Sequence, residues 1–131
     1  MATTNAYSQY LDNQVMTATP SKLLILTYDL AIRFCRAAKQ SMQERDLYEQ
    51  NTNIQKVQNI LIELMSSLNH DANPKLASNL SAIYMYCFNK LSEANIYDKQ
   101  EILDEVLQIL TDMRTTWAET ESLARDKRQA A

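Results

Sequence analysis

Histidine is the side chain that most often carries acid–base or metal chemistry near neutral pH, and this chain has one, His70. A di-iron bundle needs Glu-x-x-His motifs on two helices, and no glutamate stands three residues before His70. A phosphotransfer domain would need the histidine in mid-helix, and Ser-His-Asp catalysis would need a nucleophile and an orienting acid around it. His70 is therefore interpreted as a cation near a helix end, and we predict that the chain is not an enzyme.

The two cysteines, Cys35 and Cys87, stand in helical patterns at positions that suit a small apolar residue. They form neither a CxxC motif nor a dense framework, so the sequence indicates buried, reduced thiols rather than a zinc site or a disulfide scaffold. The acidic residues form no helical row of metal ligands, and Glu101, Asp104 and Glu105 are interpreted as a solvated helix start. We predict no catalytic residue, no metal ion and no cofactor.

Glycine is absent from the 131 residues of the chain. Phosphate-binding loops and dinucleotide folds need glycine where the backbone approaches a ligand, so the composition excludes these classes. The net charge of −3 argues against nucleic acid as a partner. No run reaches the roughly 18 apolar residues that cross a bilayer, and the N-terminus lacks the features of a signal peptide. We therefore predict a cytoplasmic protein without membrane insertion.

Four segments have helical periodicity, and each starts with a recognisable capping device. A Thr, Asp or Asn side chain caps the free amides of a helix start, and proline fits the first helical position because it has no amide to satisfy. An Asp-x-x-Glu pair is an acidic variant of the capping box. The four predicted starts are Thr19-Pro20, Asp46-x-x-Glu49, Asn73-Pro74 and Asp98-x-x-Glu101.

Apolar residues follow these starts at the spacing of core-facing helices. The first helix has two adjacent rows, Leu23, Leu26, Leu30, Phe34 and Ala37 beside Leu24, Tyr28, Ala31, Cys35, Ala38 and Met42. The other rows are Ile54, Val57, Leu61, Leu64 and Leu68 in the second helix; Leu76, Leu80, Ile83, Cys87, Leu91 and Ala94 in the third; and Leu103, Val106, Leu110, Met113 and Trp117 in the fourth. Long helices with short connections, near residues 43–48, 69–73 and 95–98, must run antiparallel to their neighbours. The predicted fold class is all-α, an antiparallel up-down four-helix bundle with a short N-terminal segment or helix packed on it.

The chain divides into three parts on this interpretation. Residues 1–18 form an N-terminal lid or capping segment, and residues 19–120 form the bundle. Residues 121–131 are charged and lack an apolar row, so we predict a frayed C-terminal tail.

In a helix that faces a bundle core, about three of every seven residues need to be apolar. Two helices of this chain carry more than that. The second helix has Ile60, Ile62 and Met65 beside its main row, and the fourth has Ile102, Leu107 and Ile109. One interpretation is a broad core with a few exposed apolar residues. The other is a groove for an amphipathic partner segment, with the N-terminal segment as its lid. Composition leaves both open.

Short motifs in order along the chain resemble the FliS family of flagellar secretion chaperones. They are Ala6-Tyr7, Val15, Thr17-Ala18-Thr19-Pro20, Leu23-Leu24 and Tyr28-Asp29-x-Ala31-Ile32-Arg33-Phe34; Asn53-Ile54-Gln55-Lys56-Val57-Gln58-Asn59-Ile60; Asn79-Leu80-x-x-Ile83-Tyr84-x-Tyr86 and Leu91-x-x-Ala94-Asn95; and Asp104-Glu105-Val106 with Met113-Arg114-x-x-Trp117. The chain departs from the family pattern at Leu30, where the family usually has glycine, and at Thr19, where it usually has serine. Thr19 keeps the capping hydroxyl.

The resemblance implies a bundle that binds the disordered C-terminal segment of flagellin, prevents premature polymerisation and delivers the client to the flagellar type III export gate. It also implies that the N-terminal tyrosine region covers the client groove and contacts the gate. A co-chaperone or regulatory protein is left open as a further partner. The candidate residues for the groove or its lid are Tyr7, Tyr10, Val15, Leu24, Tyr28, Ile60, Ile62, Met65, Ile102, Leu107 and Ile109. The alternatives are a bundle chaperone for a different export substrate or regulator, an all-α enzyme or phosphotransfer domain, and a structural bundle that oligomerises.

Overall fold

The computed structural model describes residue 9 and residues 19–130. Within that part of the chain there are four α-helices and no strand: α1 Pro20–Gln43, α2 Leu47–Ser66, α3 Pro74–Tyr97 and α4 Gln100–Ala130. Each helix packs on two neighbours, α1 and α3 both lying between α2 and α4. The predicted all-α, antiparallel four-helix bundle is confirmed.

Polar pairs between helices show the antiparallel arrangement directly. Asp29 of α1 pairs with Arg114 of α4 at 2.8 Å, and Lys39, further along α1, pairs with Asp104, earlier in α4, at 2.7 Å. These pairs are partly exposed, so they set the alignment of the helices more than they stabilise the bundle.

Three of the four predicted helix starts have the expected cap. Thr19 accepts from the Lys22 amide at 3.2 Å, and the side chains of Asp46 and Asn73 likewise cap α2 and α3. The fourth differs, because Asp98 has a left-handed backbone (φ 52°) and ends α3. Its carboxylate accepts from the Gln50 side chain at 2.8 Å, so it connects α3 to α2 instead of capping α4.

The core uses the predicted rows of α2 and α4, but α3 is rotated relative to the prediction. Leu76 and Ile83, predicted as core residues, are exposed. The residues that follow them, Ala77 and Tyr84, are buried in the core instead. Residues one apart on a helix differ by about 100° in direction, so these two positions turn out of the core, whereas Leu80 between them still packs against it. The aromatic side chain of Tyr84 can be buried because its hydroxyl has a polar partner.

That partner is Tyr28 of α1, which crosses the core to α3. The two hydroxyls share a hydrogen bond, and both side chains are buried. Trp117 of α4 donates its indole N–H to the Tyr28 oxygen at 3.3 Å, and the Met113 sulfur lies 4.0 Å from the same oxygen. Burial and the bond to Tyr84 raise the pKa of the Tyr28 hydroxyl. The network therefore joins α1, α3 and α4 while leaving no hydroxyl unpaired.

Both cysteines are buried and free, as predicted. Burial raises the pKa of the Cys35 thiol to about 12 and that of Cys87 to about 11. Cys35 also donates to the Leu103 carbonyl, with 3.7 Å between sulfur and oxygen. Thiols of this kind are protonated and unreactive at neutral pH.

Helix α4 continues to Ala130, past residue 120, where the sequence analysis ended the bundle. No glycine or proline interrupts this stretch, and Glu121 lies within 4.0 Å of Arg125 and 3.9 Å of Arg128 on successive turns. These features favour helix in a segment that the analysis expected to fray. Among the described residues, no helix is long and apolar enough to cross a membrane.

Removing the Tyr28 hydroxyl tests the core network. Tyr28→Phe leaves the Tyr84 hydroxyl and the Trp117 indole N–H without their partner, so we expect a loss of about 2–3 kcal/mol in the free energy of unfolding. Tyr84→Phe leaves Tyr28 bonded to Trp117 and costs about 1 kcal/mol. Urea titration followed by circular dichroism measures both. Tyr48→Phe, at a side chain that is 76% exposed, is the control. Equal, negligible losses for the two core variants would contradict the role of the network.

Candidate functional site

Helix α3 exposes large apolar side chains on either side of its outward face. The exposed fractions are 37% for Ile83, 46% for Met85 and 44% for Tyr86. With Tyr84 directed into the core, the residues before and after it point about 100° to either side. Ile83 therefore lies towards α4, and Met85 lies towards α2.

An open groove runs between α3 and α4 on the Ile83 side. It has a volume of about 430 Å³. Its lining is apolar except for one carboxylate and consists of Ala82, Ile83, Tyr86, Ile109, Asp112 and Met113. Met113 also reaches the hydroxyl of Tyr28, so the floor of this groove is continuous with the core network.

The apolar surface continues on the Met85 side, across to α2. Gln58 of α2 donates to the Phe88 carbonyl at 3.2 Å and to the Ser92 hydroxyl at 2.8 Å. Ile62 lies one turn after Gln58 on the same face of α2. Met85 lies two turns before Ser92 on the same face of α3. Ile62 is 45% exposed. We call Ala82, Ile83, Met85 and Tyr86, with Ile62, Ile109 and Met113, the α3 surface.

Charged groups line one edge of the α3 surface. The Tyr86 hydroxyl donates to Glu105 of α4, and this bond raises the pKa of Tyr86. Lys90 lies 5.6 Å from the centre of the Tyr86 ring and 3.4 Å from the Glu93 carboxylate, which raises the pKa of the ammonium. Tyr86 is thus held over the groove by a carboxylate on one side and a cation on the other.

Four of the residues predicted as partner contacts lie at or beside the α3 surface. Ile109 lines the groove, and Ile102 lies two turns before it on the same face of α4, half-buried against the core. Ile62 is exposed on the α3 side of α2, and Met65 follows it there, half-buried.

Three other predicted contacts lie on different faces. Ile60 lies one turn after Lys56 on α2, and the Lys56 ammonium lies 5.0 Å from the centre of the Phe34 ring of α1. Ile60 therefore faces α1. Leu107 is one heptad before Arg114 and so also faces α1. Leu24 borders two clefts near the start of α1, one beside α2 and one beside α4. The structure does not bring these three together with the α3 surface.

Tyr28 was also predicted to contact a partner, and here the structure corrects the sequence analysis. The side chain is fully buried, because its hydroxyl finds protein partners and its ring fills the core. It supports the site through Met113 and does not form part of an exposed surface. Tyr7, Tyr10 and Val15 lie outside the described residues.

The α3 residues at the centre of this surface were not among the predicted partner contacts. Ile83 was predicted as a core residue, Tyr86 was named only within a family motif, and Met85 was not singled out. A usable signal was present, since Leu80, Ile83, Tyr84, Met85, Tyr86 and Phe88 place large apolar groups on every side of the helix. A helix with only two neighbours cannot bury all of them.

The arrangement provides for binding. Within the described residues, no three His, Cys, Asp or Glu side chains come together as metal ligands. The shifted pKa values belong to buried core groups or to the hydrogen-bonded and ion-paired edge of the α3 surface. An open apolar groove edged by charge is the kind of site that accepts an amphipathic segment of another protein.

Comparison with known proteins identifies the family of the chain. Residues 3–124 match the family model described as flagellar protein FliS. The chain is 35% identical to the flagellar secretion chaperone FliS of Bacillus subtilis, over 100% of this chain and 97% of that protein. It is 28% identical to the FliS chaperone of Campylobacter jejuni, over 87% and 89% of the two chains.

Among solved structures, a crystal structure of a bacterial flagellar chaperone has the same fold. It superposes with a TM-score of 0.74 at 22% identity, covering 91% of this chain and 97% of that one. The family match spans nearly the whole bundle, and the resemblance noted in the sequence is confirmed. The chain belongs to the FliS family of flagellar secretion chaperones.

Proposed function

We propose that this chain binds the disordered C-terminal segment of flagellin, prevents its premature polymerisation in the cytoplasm and delivers it to the flagellar type III export gate. Membership of a chaperone family implies a flagellar export substrate as partner, and this family is not an enzyme class. The observation that carries the proposal is the α3 surface, which the bundle itself leaves unburied.

The physical properties of the α3 surface suit a client of this kind. A segment that is disordered when free loses conformational entropy on binding, so it needs a large apolar contact to bind well. Apolar side chains extend from Ile62 of α2, across Met85 and Ile83 of α3, to Ile109 of α4. A segment that wraps around α3 would contact all of them.

The N-terminal segment, residues 1–18, is proposed as the lid of the client site, with Tyr7, Tyr10 and Val15 as its apolar contacts. Such a lid competes with the client and hides apolar surface from non-specific association. The binding step alone performs the work on this proposal, so no nucleotide is required.

A second candidate is a chaperone for a different flagellar export substrate or regulator. The α3 surface and the family membership are equally compatible with it. The identity of the client therefore has to be tested directly.

The first test is calorimetric titration of the full chain with flagellin of the same organism, with and without the C-terminal segment. We expect one-to-one binding that requires the segment and has a large negative heat-capacity change, because apolar surface is buried. Binding that is unaffected by removal of the segment would contradict the proposed site on flagellin. No binding to either form would favour the second candidate.

A substitution within the groove tests the α3 surface. Ile83→Ser removes an apolar contact and should weaken binding about five- to tenfold, equivalent to about 1–1.4 kcal/mol. Ile96→Ser is the matched control on the same helix, since Ile96 is 71% exposed and lies outside the groove. Equal effects of the two substitutions on the dissociation constant would exclude the α3 surface as the client site.

Deletion of residues 2–17 tests the lid. We expect the shortened chain to bind flagellin more tightly or to aggregate when free, because the apolar site then has no competing cover. Titration and light scattering measure the two effects. Unchanged affinity together with unchanged solubility would refute the lid while leaving the client site intact.

A further inference from the structure

The groove between α3 and α4 has an acidic wall contributed by α4. Asp112 lines the groove, and Glu105 stands one heptad earlier on the same face. Ile109 lies between them, so an apolar residue is flanked by two carboxylates along the wall. From Gln100 to Ala124 the one basic residue of α4 is Arg114, and it pairs with Asp29 on the α1 side.

Neither carboxylate of this wall has a cationic partner among the described residues. Asp112 accepts from the neutral Gln108 side chain at 2.9 Å, and Glu105 accepts from the Tyr86 hydroxyl on one oxygen. Lys90, which lies over the Tyr86 ring, pairs with Glu93, and the charge of Glu105 acts on it only from a longer distance. The groove therefore presents an apolar floor and, along one side, two carboxylates without an ion-pair partner among the described residues.

We infer that this groove takes an amphipathic helix carrying Lys or Arg at positions i and i+7, with an apolar residue at i+3 or i+4 between them. The inference rests on the proposed function and concerns the part of the client that lies between α3 and α4.

The spacing follows from the geometry of α4. Seven residues at 1.5 Å each separate Glu105 from Asp112 by about 10 Å along the axis. A helix lying along the groove covers that distance in two turns, so its cations meet the two carboxylates while the side chain between them packs on Ile109. Tyr86, hydrogen-bonded to Glu105, lies at the Glu105 end of the groove.

This complementarity selects the client's register. An apolar groove alone accepts a helix in several positions that differ by one turn, with similar contact areas. Two fixed charges flanking Ile109 favour the position in which both carboxylates are paired, and a basic client is attracted over a longer range than an apolar one. Displacement by one turn leaves a carboxylate facing apolar side chains.

The test uses a fluorescently labelled peptide of the flagellin C-terminal segment and the full chain, with anisotropy measured at low and high salt. Asp112→Asn and Glu105→Gln should each weaken binding about threefold at low salt, as expected for partly exposed ion pairs. Replacing both carboxylates by lysine should weaken it by at least about tenfold at low salt and reverse the salt dependence, because added salt then screens a repulsion. Asp71→Asn, in the exposed connection between α2 and α3, is the matched control and should bind as the parent chain does.

Charge exchange separates a specific pairing from damage to the surface. A peptide with glutamate in place of the basic residues at i and i+7 should recover binding to the double-lysine chain and bind the parent chain poorly. Loss of binding without this recovery would overturn the inference, as would neutral variants that bind like the parent chain at every salt concentration. Circular dichroism of each variant verifies that the bundle is intact.

The outcome also distinguishes this inference from the function on which it rests. If the parent chain binds the flagellin segment and the charge variants have no effect, the acidic wall is not a contact, and the proposed function stands. If the parent chain does not bind the segment, the proposed function fails and the inference fails with it.

Discussion

The hydrogen bond between the Tyr28 and Tyr84 hydroxyls determines how α3 sits in the bundle, and the exposed α3 surface depends on that placement. The two tyrosines belong to helices on opposite corners of the bundle, so their contact crosses the core. Directing Tyr84 inward turns its neighbours Ile83 and Met85 to opposite flanks of α3. A rotation of about 100° in either direction would bury one of them and expose Tyr84, whose hydroxyl would then lose its buried partner.

The same network couples the core to the groove. Met113 contacts the Tyr28 oxygen from one side and lines the groove from the other, and Trp117 donates to that oxygen from the next turn of α4. The groove floor therefore belongs to a packed, hydrogen-bonded core and is preformed. On the proposed function, binding there would carry no ordering cost for this part of the bundle.

Stability and binding place opposing demands on α3. Its inward residues, from Ala77 to Ala94, close the core, whereas Ile83, Met85 and Tyr86 remain in contact with water in the free protein. Exposed apolar groups of this size invite non-specific association. The charges beside Tyr86, namely Glu105, Lys90 and Glu93, keep the edge of the surface hydrated. The bundle thus leaves an apolar surface exposed, which the proposed lid would cover.

Much of the fold followed from local chemistry in the sequence. The caps at Thr19, Asp46 and Asn73 and the regular rows of α2 and α4 are properties of short segments, and short connections between long helices allow little except an antiparallel bundle. The family motifs extend over most of the chain, so the sequence alone also indicated the family. The site was harder, because it depends on which side of each helix meets a neighbour.

Only the tertiary structure decided the direction of α3. Leu80, Ile83, Tyr84, Met85 and Phe88 offer several apolar faces of similar strength, and periodicity alone cannot rank them. The choice was made by a partner distant in sequence, the Tyr28 hydroxyl, which makes burial of Tyr84 favourable. For the same reason Tyr28 belongs to the core, and the pairing of Asp29 with Arg114 turns Leu107 towards α1, away from the groove. The sequence by itself determined the helices and the family, and packing between distant residues determined which apolar side chains were left exposed.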